Sequence, residues 1–234
     1  MDREQVSRYL QDIYRRLMAA YGPQHWWPAR EPFEVMLGAV LTQGTAWCNV
    51  EQAIADLRAA GALSPPAIRG LPLQELAQII RPCGYYNAKA QKLKSLAYWL
   101  GNHCADDLDK LFASDVDNLR GLLLAVHGIG QETADSILLY AAGKPVFVID
   151  AYTRRIISRL GMVLEKDSYD ACQRLFMAHL PADAEMFNEY HALLVRLGKD
   201  ACRKKPLCQR CCLSNICRFY RASFSFSLGM TSPP

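Results

Sequence analysis

Apolar residues recur along this chain three and four positions apart, the spacing of one face of an α-helix. Val6, Tyr9, Leu10, Ile13, Leu17 and Met18 predict a helix over residues 4–20. Phe33, Met36, Leu37, Val40 and Leu41 predict an amphipathic helix facing a core, closed by the turn and cap Thr42-Gln43-Gly44-Thr45. Val50, Ile54 and Leu57 continue the pattern to Gly61, and Pro65 and Pro66 break it. A short helix over 73–81 stops at Pro82 and Gly84. Asn87 then caps a helix over 88–100, which ends at Gly101. Two further segments, 106–112 and 115–126, lead into a glycine turn. Beyond it Ala134, Ile137, Leu138 and Ala141 run helically to Gly143. Asp150 stands at the cap of a helix carrying Tyr152, Ile156, Ile157 and Leu160. Ser168 caps another to Leu180, and 184–199 is the last long one. Val146-Phe147-Val148-Ile149 is the one β-like run, so the expected fold is all-α, without internal repeats. Residues 222–234, with four serines, are expected to be disordered.

Composition narrows the class. The 234 residues are 51% hydrophobic and 21% charged, an ordinary soluble balance. Neither a run of eighteen apolar residues nor an apolar N-terminus is present, so neither membrane nor secretory targeting is expected. The chain reads as cytoplasmic (nucleoid-associated if bacterial) and monomeric. A net charge of +4 permits nucleic-acid binding without requiring it. Arg196, Lys199, Arg203, Lys204, Lys205, Arg210 and Arg218 crowd the C-terminal region, and Lys89, Lys92 and Lys94 mark another helix.

Nine cysteines is a high count where thiols stay reduced. Four follow the spacing Cys202-x5-Cys208-x2-Cys211-x5-Cys217, which suits tetrahedral zinc or one thiolate on each corner of a [4Fe–4S] cube. Spacing does not choose between the two metals, and Cys212 stands close enough to replace Cys211. The scattered Cys48, Cys83, Cys104 and Cys172 read as free thiols in apolar surroundings.

Helix, His127-Gly128-Ile129-Gly130, helix is a helix-hairpin-helix. Its glycines allow close backbone approach, and the second helix offers free N–H groups to an anion such as a DNA phosphate. Many helical hairpins use such a turn only to reverse direction. Asp150 has two readings of its own, a helix cap and a catalytic carboxylate.

Taken together, these motifs resemble the endonuclease III superfamily of base-excision DNA glycosylases, over roughly residues 30–217. The first cysteine interval departs from the family's by one residue. The resemblance implies a two-lobed, all-α helix-hairpin-helix fold with a C-terminal [4Fe–4S] loop, zinc being the alternative metal. One lobe would span 30–143, with the hairpin at about 119–142. The other would combine 1–29 with 144–221 and hold the cluster loop 202–217 on Cys202, Cys208, Cys211 and Cys217. Asp150 would be catalytic, and the partner would be double-stranded DNA containing a damaged base. Members that also cut the backbone carry a lysine two residues past the second glycine. Here that residue is Glu132, which cannot form a Schiff base, so a monofunctional enzyme is expected.

Leu41-Thr42-Gln43-x-Thr45, Trp26-Trp27-Pro28 and Tyr85-Tyr86-Asn87-x-Lys89-Ala90 look like the bacterial 3-methyladenine glycosylases of that superfamily. The implied base pocket comprises Trp26, Trp27, Pro28, Trp47 and Glu132, and Gln43 would fill the gap left in the duplex. Gly128, Gly130, Lys89 and Arg154 are the expected phosphate contacts. Two other readings stay open: a glycosylase for damaged or mismatched pyrimidines, and a DNA-binding protein without catalysis.

Overall fold

A computed structural model of the chain describes residues 2–29 and 31–227. Among the described residues there is no strand, and no helix is long and apolar enough to cross a membrane. The chain forms two compact units, residues 27–144 and residues 1–26 with 145–234.

The continuous unit is built around α2 (Pro32–Leu41), in which every residue but Pro32 is buried. The sequence pattern predicts one apolar face; instead α3 (Trp47–Ala59), α6 (Tyr86–Cys104) and the turn Ile137–Ala141 pack on it from several sides. Even Glu34 is only 8% exposed, and its carboxylate takes a 2.9 Å ion pair from Arg58. Short helices α4 (Pro65–Gly70) and α5 (Leu73–Ile79) lie against α6, which is followed by α7 (Leu108–Phe112). The hairpin joins α8 (Val116–Leu124) to α9 (Gln131–Ser136), and α9 runs on into a wider π-helical turn over Ile137–Ala141. Arg120 on α8 clamps the fully buried Asp135 on α9 through two hydrogen bonds of 2.6 and 3.1 Å. Their mutual orientation therefore rests on a charge pair as well as on packing.

In the discontinuous unit α1 (Arg3–Tyr21) starts with a capping box, Asp2 accepting from Gln5 N at 2.8 Å and Gln5 Oε1 accepting from Asp2 N at 3.0 Å. It packs on α12 (Ala184–Asp200), where the buried Tyr190 hydroxyl donates to Leu10 O at 2.9 Å. The Val146–Ile149 run is buried but forms no strand. Side chains of α11 (Tyr169–Met177) serve its backbone instead. Gln173 donates to Phe147 O at 2.8 Å, and the Tyr169 hydroxyl accepts from Ile149 N at 3.3 Å. Phe147 stacks on Phe176 at 3.8 Å between centroids and meets Phe187 and Tyr190 edge-on. The short β-like run is thus a fully buried linker with side-chain partners, in keeping with the expected all-α fold. α10 (Ala151–Leu160) lies along α12 with Tyr152 over Gly198, where a β-carbon would come within 2.4 Å of the ring. The expected disorder from residue 222 is not what is seen as far as Ser227, because α13 (Arg218–Ser227) continues to that point. Residues 228–234 lie outside the described residues.

Candidate functional site

The continuous unit holds an aromatic cavity of about 260 Å³, lined by Trp27, Pro28, Gly38, Trp47 and Ile54 together with the charged Glu34, Glu51 and Arg58. Trp27 and Trp47 meet edge to face with centroids 5.0 Å apart, and Tyr140 lies 5.2 Å from Trp27. Gly38 makes this possible, since a β-carbon there would stand 2.7 Å from the Trp27 ring. Of the five expected pocket residues, Trp27, Pro28 and Trp47 line this cavity and Trp26 and Glu132 do not. Trp26 closes the first segment of the other unit, and Glu132 is exposed in the first turn of α9. Sequence reasoning missed Glu34, Glu51 and Arg58. The signal for Glu34 was a lone carboxylate inside the Phe33–Leu41 apolar run.

At the hairpin, Gly128 has φ +85°, and a β-carbon would strike the methylenes of Lys92 at 2.3 Å. Gly130 is different: its φ of −95° suits any residue, and a β-carbon would meet nothing within 4 Å. Gln43 is bound to this turn, its amide donating to Gly128 O at 3.2 Å and Thr133 Oγ1 at 2.9 Å while its oxygen accepts from Lys92 Nζ. Lys92, noted from the sequence only as one of three lysines on its helix, and Thr133, not singled out at all, thus join the site.

Lys89, expected on a phosphate, is a correction. It is 2% exposed, and its Nζ donates to Leu41 O at 2.9 Å and Cys83 O at 2.8 Å. Burial lowers its pKa. It satisfies carbonyls at the end of α2 and before α6 and cannot reach solvent. Tyr85, beside it, is an exposed ring (78%) at φ +46°.

In the other unit Asp150 caps α10, Oδ1 accepting from Thr153 N at 2.7 Å. Its Oδ2 lies 3.8 Å from Nε2 of the buried His191, whose pKa burial lowers against the opposing pull of Asp150. Arg154 is half-buried and donates to Asp167 O.

The four expected metal-binding cysteines, Cys202, Cys208, Cys211 and Cys217, line a single cavity with Arg159, Pro206 and Phe219, and Cys212 is not part of its lining. Among the described residues no three His, Cys, Asp or Glu side chains gather around one single-ion position. Arg159 donates to Cys202 Sγ at 3.3 Å and to the carbonyls of Arg203 and Lys204 at 2.7 and 3.1 Å. Burial pushes the Cys211 thiol up to about 12.

Residues 37–182 match the HhH-GPD superfamily of base excision DNA repair proteins, and the chain belongs to that family. It is 42% identical over 217 residues to a putative DNA repair glycosylase of Methanocaldococcus jannaschii, covering 92% of this chain and 98% of the relative. To endonuclease III of Sulfolobus acidocaldarius it is 30% identical over 193 residues, covering 82% and 83%. Among solved structures, H. pylori 3-methyladenine DNA glycosylase (MagIII) bound to 1,N6-ethenoadenine matches with a TM-score of 0.70 at 28% identity, covering 85% of this chain and 98% of that one. The protein is a DNA glycosylase of base excision repair.

Proposed function

We propose that this glycosylase releases alkylated purines from duplex DNA, 3-methyladenine foremost and 7-methylguanine with it, and leaves the backbone uncut. The observation that carries the substrate reading is the cavity in which Trp27 and Trp47 meet at 5.0 Å beside Pro28. A purine alkylated at N3 or N7 is cationic, and indole faces attract cations as well as stack. Such a base, flipped from the helix, fits a cavity of about 260 Å³. Likeness to the H. pylori 3-methyladenine DNA glycosylase supports the same reading.

The positive charge on the base already weakens its glycosidic bond, so little acid catalysis is needed. As that bond breaks, the electron pair leaves with the base and positive charge develops on the sugar. The Asp150 carboxylate stabilises that charge and takes a proton from the water that adds to C1′. Backbone N–H groups at Gly128 and Gly130 hold a phosphate, and Arg154 adds a second contact. Gln43 fills the vacated position in the duplex. Glu132 stands where an amine would be needed for backbone cleavage, and a carboxylate forms no Schiff base.

Cys202, Cys208, Cys211 and Cys217 fit a [4Fe–4S] cluster. They share one cavity without closing on a single-ion position, and Arg159 places positive charge beside the Cys202 sulfur. Held by these four cysteines, such a cluster would cross-link the C-terminal loop, and with it the basic residues Arg203, Lys204 and Lys205.

Base release measured on duplexes carrying 3-methyladenine, 7-methylguanine, uracil or thymine glycol, with borohydride present, tests the reading. Release of the methylated purines without a trapped covalent complex is expected. Activity confined to the pyrimidines overturns the substrate, and a trapped complex overturns the monofunctional mechanism.

A further inference from the structure

Helix α3 turns two stripes in different directions. Val50, Ala53 and Leu57 are buried in the core of the unit. Trp47, Glu51, Ile54 and Arg58, at helical spacings of four, three and four, line the aromatic cavity. Around the cavity as a whole the charges do not cancel, because Glu34 on α2 adds a second carboxylate. Arg58 is spent on Glu34, whose buried carboxylate it meets at 2.9 Å. Glu51 makes no ion pair or hydrogen bond among the described residues. Its neighbours one turn away, Trp47, Cys48, Ile54 and Ala55, are all uncharged. Among the described residues no other cation lines the cavity. The described lining, with Glu34 and Glu51 against Arg58, therefore carries one excess negative charge among ring faces that are themselves electron-rich.

From this we infer that Glu51 is the specificity determinant that makes the cavity prefer positively charged bases over neutral ones of similar size. The inference rests on the reading of this cavity as the base site. A cationic purine gains both the aromatic walls and the Glu51 carboxylate, whereas a neutral base gains the walls alone. Glu51 is exposed, so solvent screens it and the preference is modest and salt-dependent.

The experiment compares single-turnover release of 7-methylguanine, a cation in DNA, with that of neutral 1,N6-ethenoadenine, for the wild type, Glu51→Gln and Trp47→Ala. Glu51→Gln is expected to slow release of the cationic base by about three- to tenfold and leave the neutral one unchanged, with the gap narrowing at high salt. Where neutral release is too slow to time, affinity for the two lesion duplexes is compared in the Asp150→Asn background. Equal effects on both bases, or none on either, overturn the role of Glu51 while Trp47→Ala still slows both. A Trp47→Ala variant that releases both bases at the wild-type rate overturns the base-site reading itself.

Discussion

Asp150 holds two positions with one side chain. Oδ1 caps α10 through Thr153 N at 2.7 Å, and Oδ2 is turned toward His191 at 3.8 Å. The two roles separate chemically. Asparagine caps a helix about as well as aspartate but carries no charge. Asp150→Asn is therefore expected to cut base release by about a hundredfold or more, with stability in urea held within roughly 0.5 kcal/mol. Asp150→Ala should lose the same activity and about 1 kcal/mol of stability as well. Wild-type release by Asp150→Asn would leave the residue a cap and nothing more. That Asp150 begins a helix is legible in the sequence, because the residue precedes a helical stripe. Lys89 is misread by the same approach. Its charge suggests a surface, and only the packed positions of Leu41 and Cys83, 48 and 6 residues away, reveal that its amine is enclosed.

The hairpin's two glycines look alike in sequence and differ in the folded element. Gly128 has no room for a side chain and sits at φ +85° over Lys92. Gly130 is extended with open space around it. Gly128→Ala is expected to lower stability by roughly 1–2 kcal/mol and to weaken DNA binding. Gly130→Ala should leave the urea midpoint unchanged and still weaken binding, because its β-carbon obstructs only what approaches from outside. A fall in stability for Gly130→Ala would contradict this division. The helices flanking the turn are readable from their apolar spacing. The link from Gln43 to Gly128 is not, since 85 residues separate the partners and no local pattern encodes it. The Val146–Ile149 segment shows a related limit: its apolar run reports burial, and the partners Gln173 and Tyr169 that hold it as a linker lie twenty or more residues on, where no local pattern points to them.

Over the whole molecule, the cysteine loop is where sequence spacing and tertiary structure join most directly. Replacing any one of Cys202, Cys208, Cys211 or Cys217 by alanine should remove iron and the broad absorbance near about 400 nm. Cys212→Ala, at a thiol outside the shared cavity, should retain both. Iron content and the visible spectrum of purified variants decide the ligand set, which spacing alone leaves open between Cys211 and Cys212. The division of the chain has a further consequence, in the order of its synthesis. Residues 27–144 form one unit from a continuous stretch, but the other unit needs residues 1–26 and everything from 145 onward. Leu10, Ile13 and Leu17 of α1 are buried in the finished protein, with the Tyr190 hydroxyl of α12 closing on Leu10 O. At ribosomal speed the interval between α1 and α12 lasts about 10–30 s. Throughout it the first helix has left the ribosome with its apolar face open, a natural target for a holding chaperone. Cys202, Cys208, Cys211 and Cys217 arrive later still, so on the proposed cluster reading metal loading would be a closing step in the assembly of that unit.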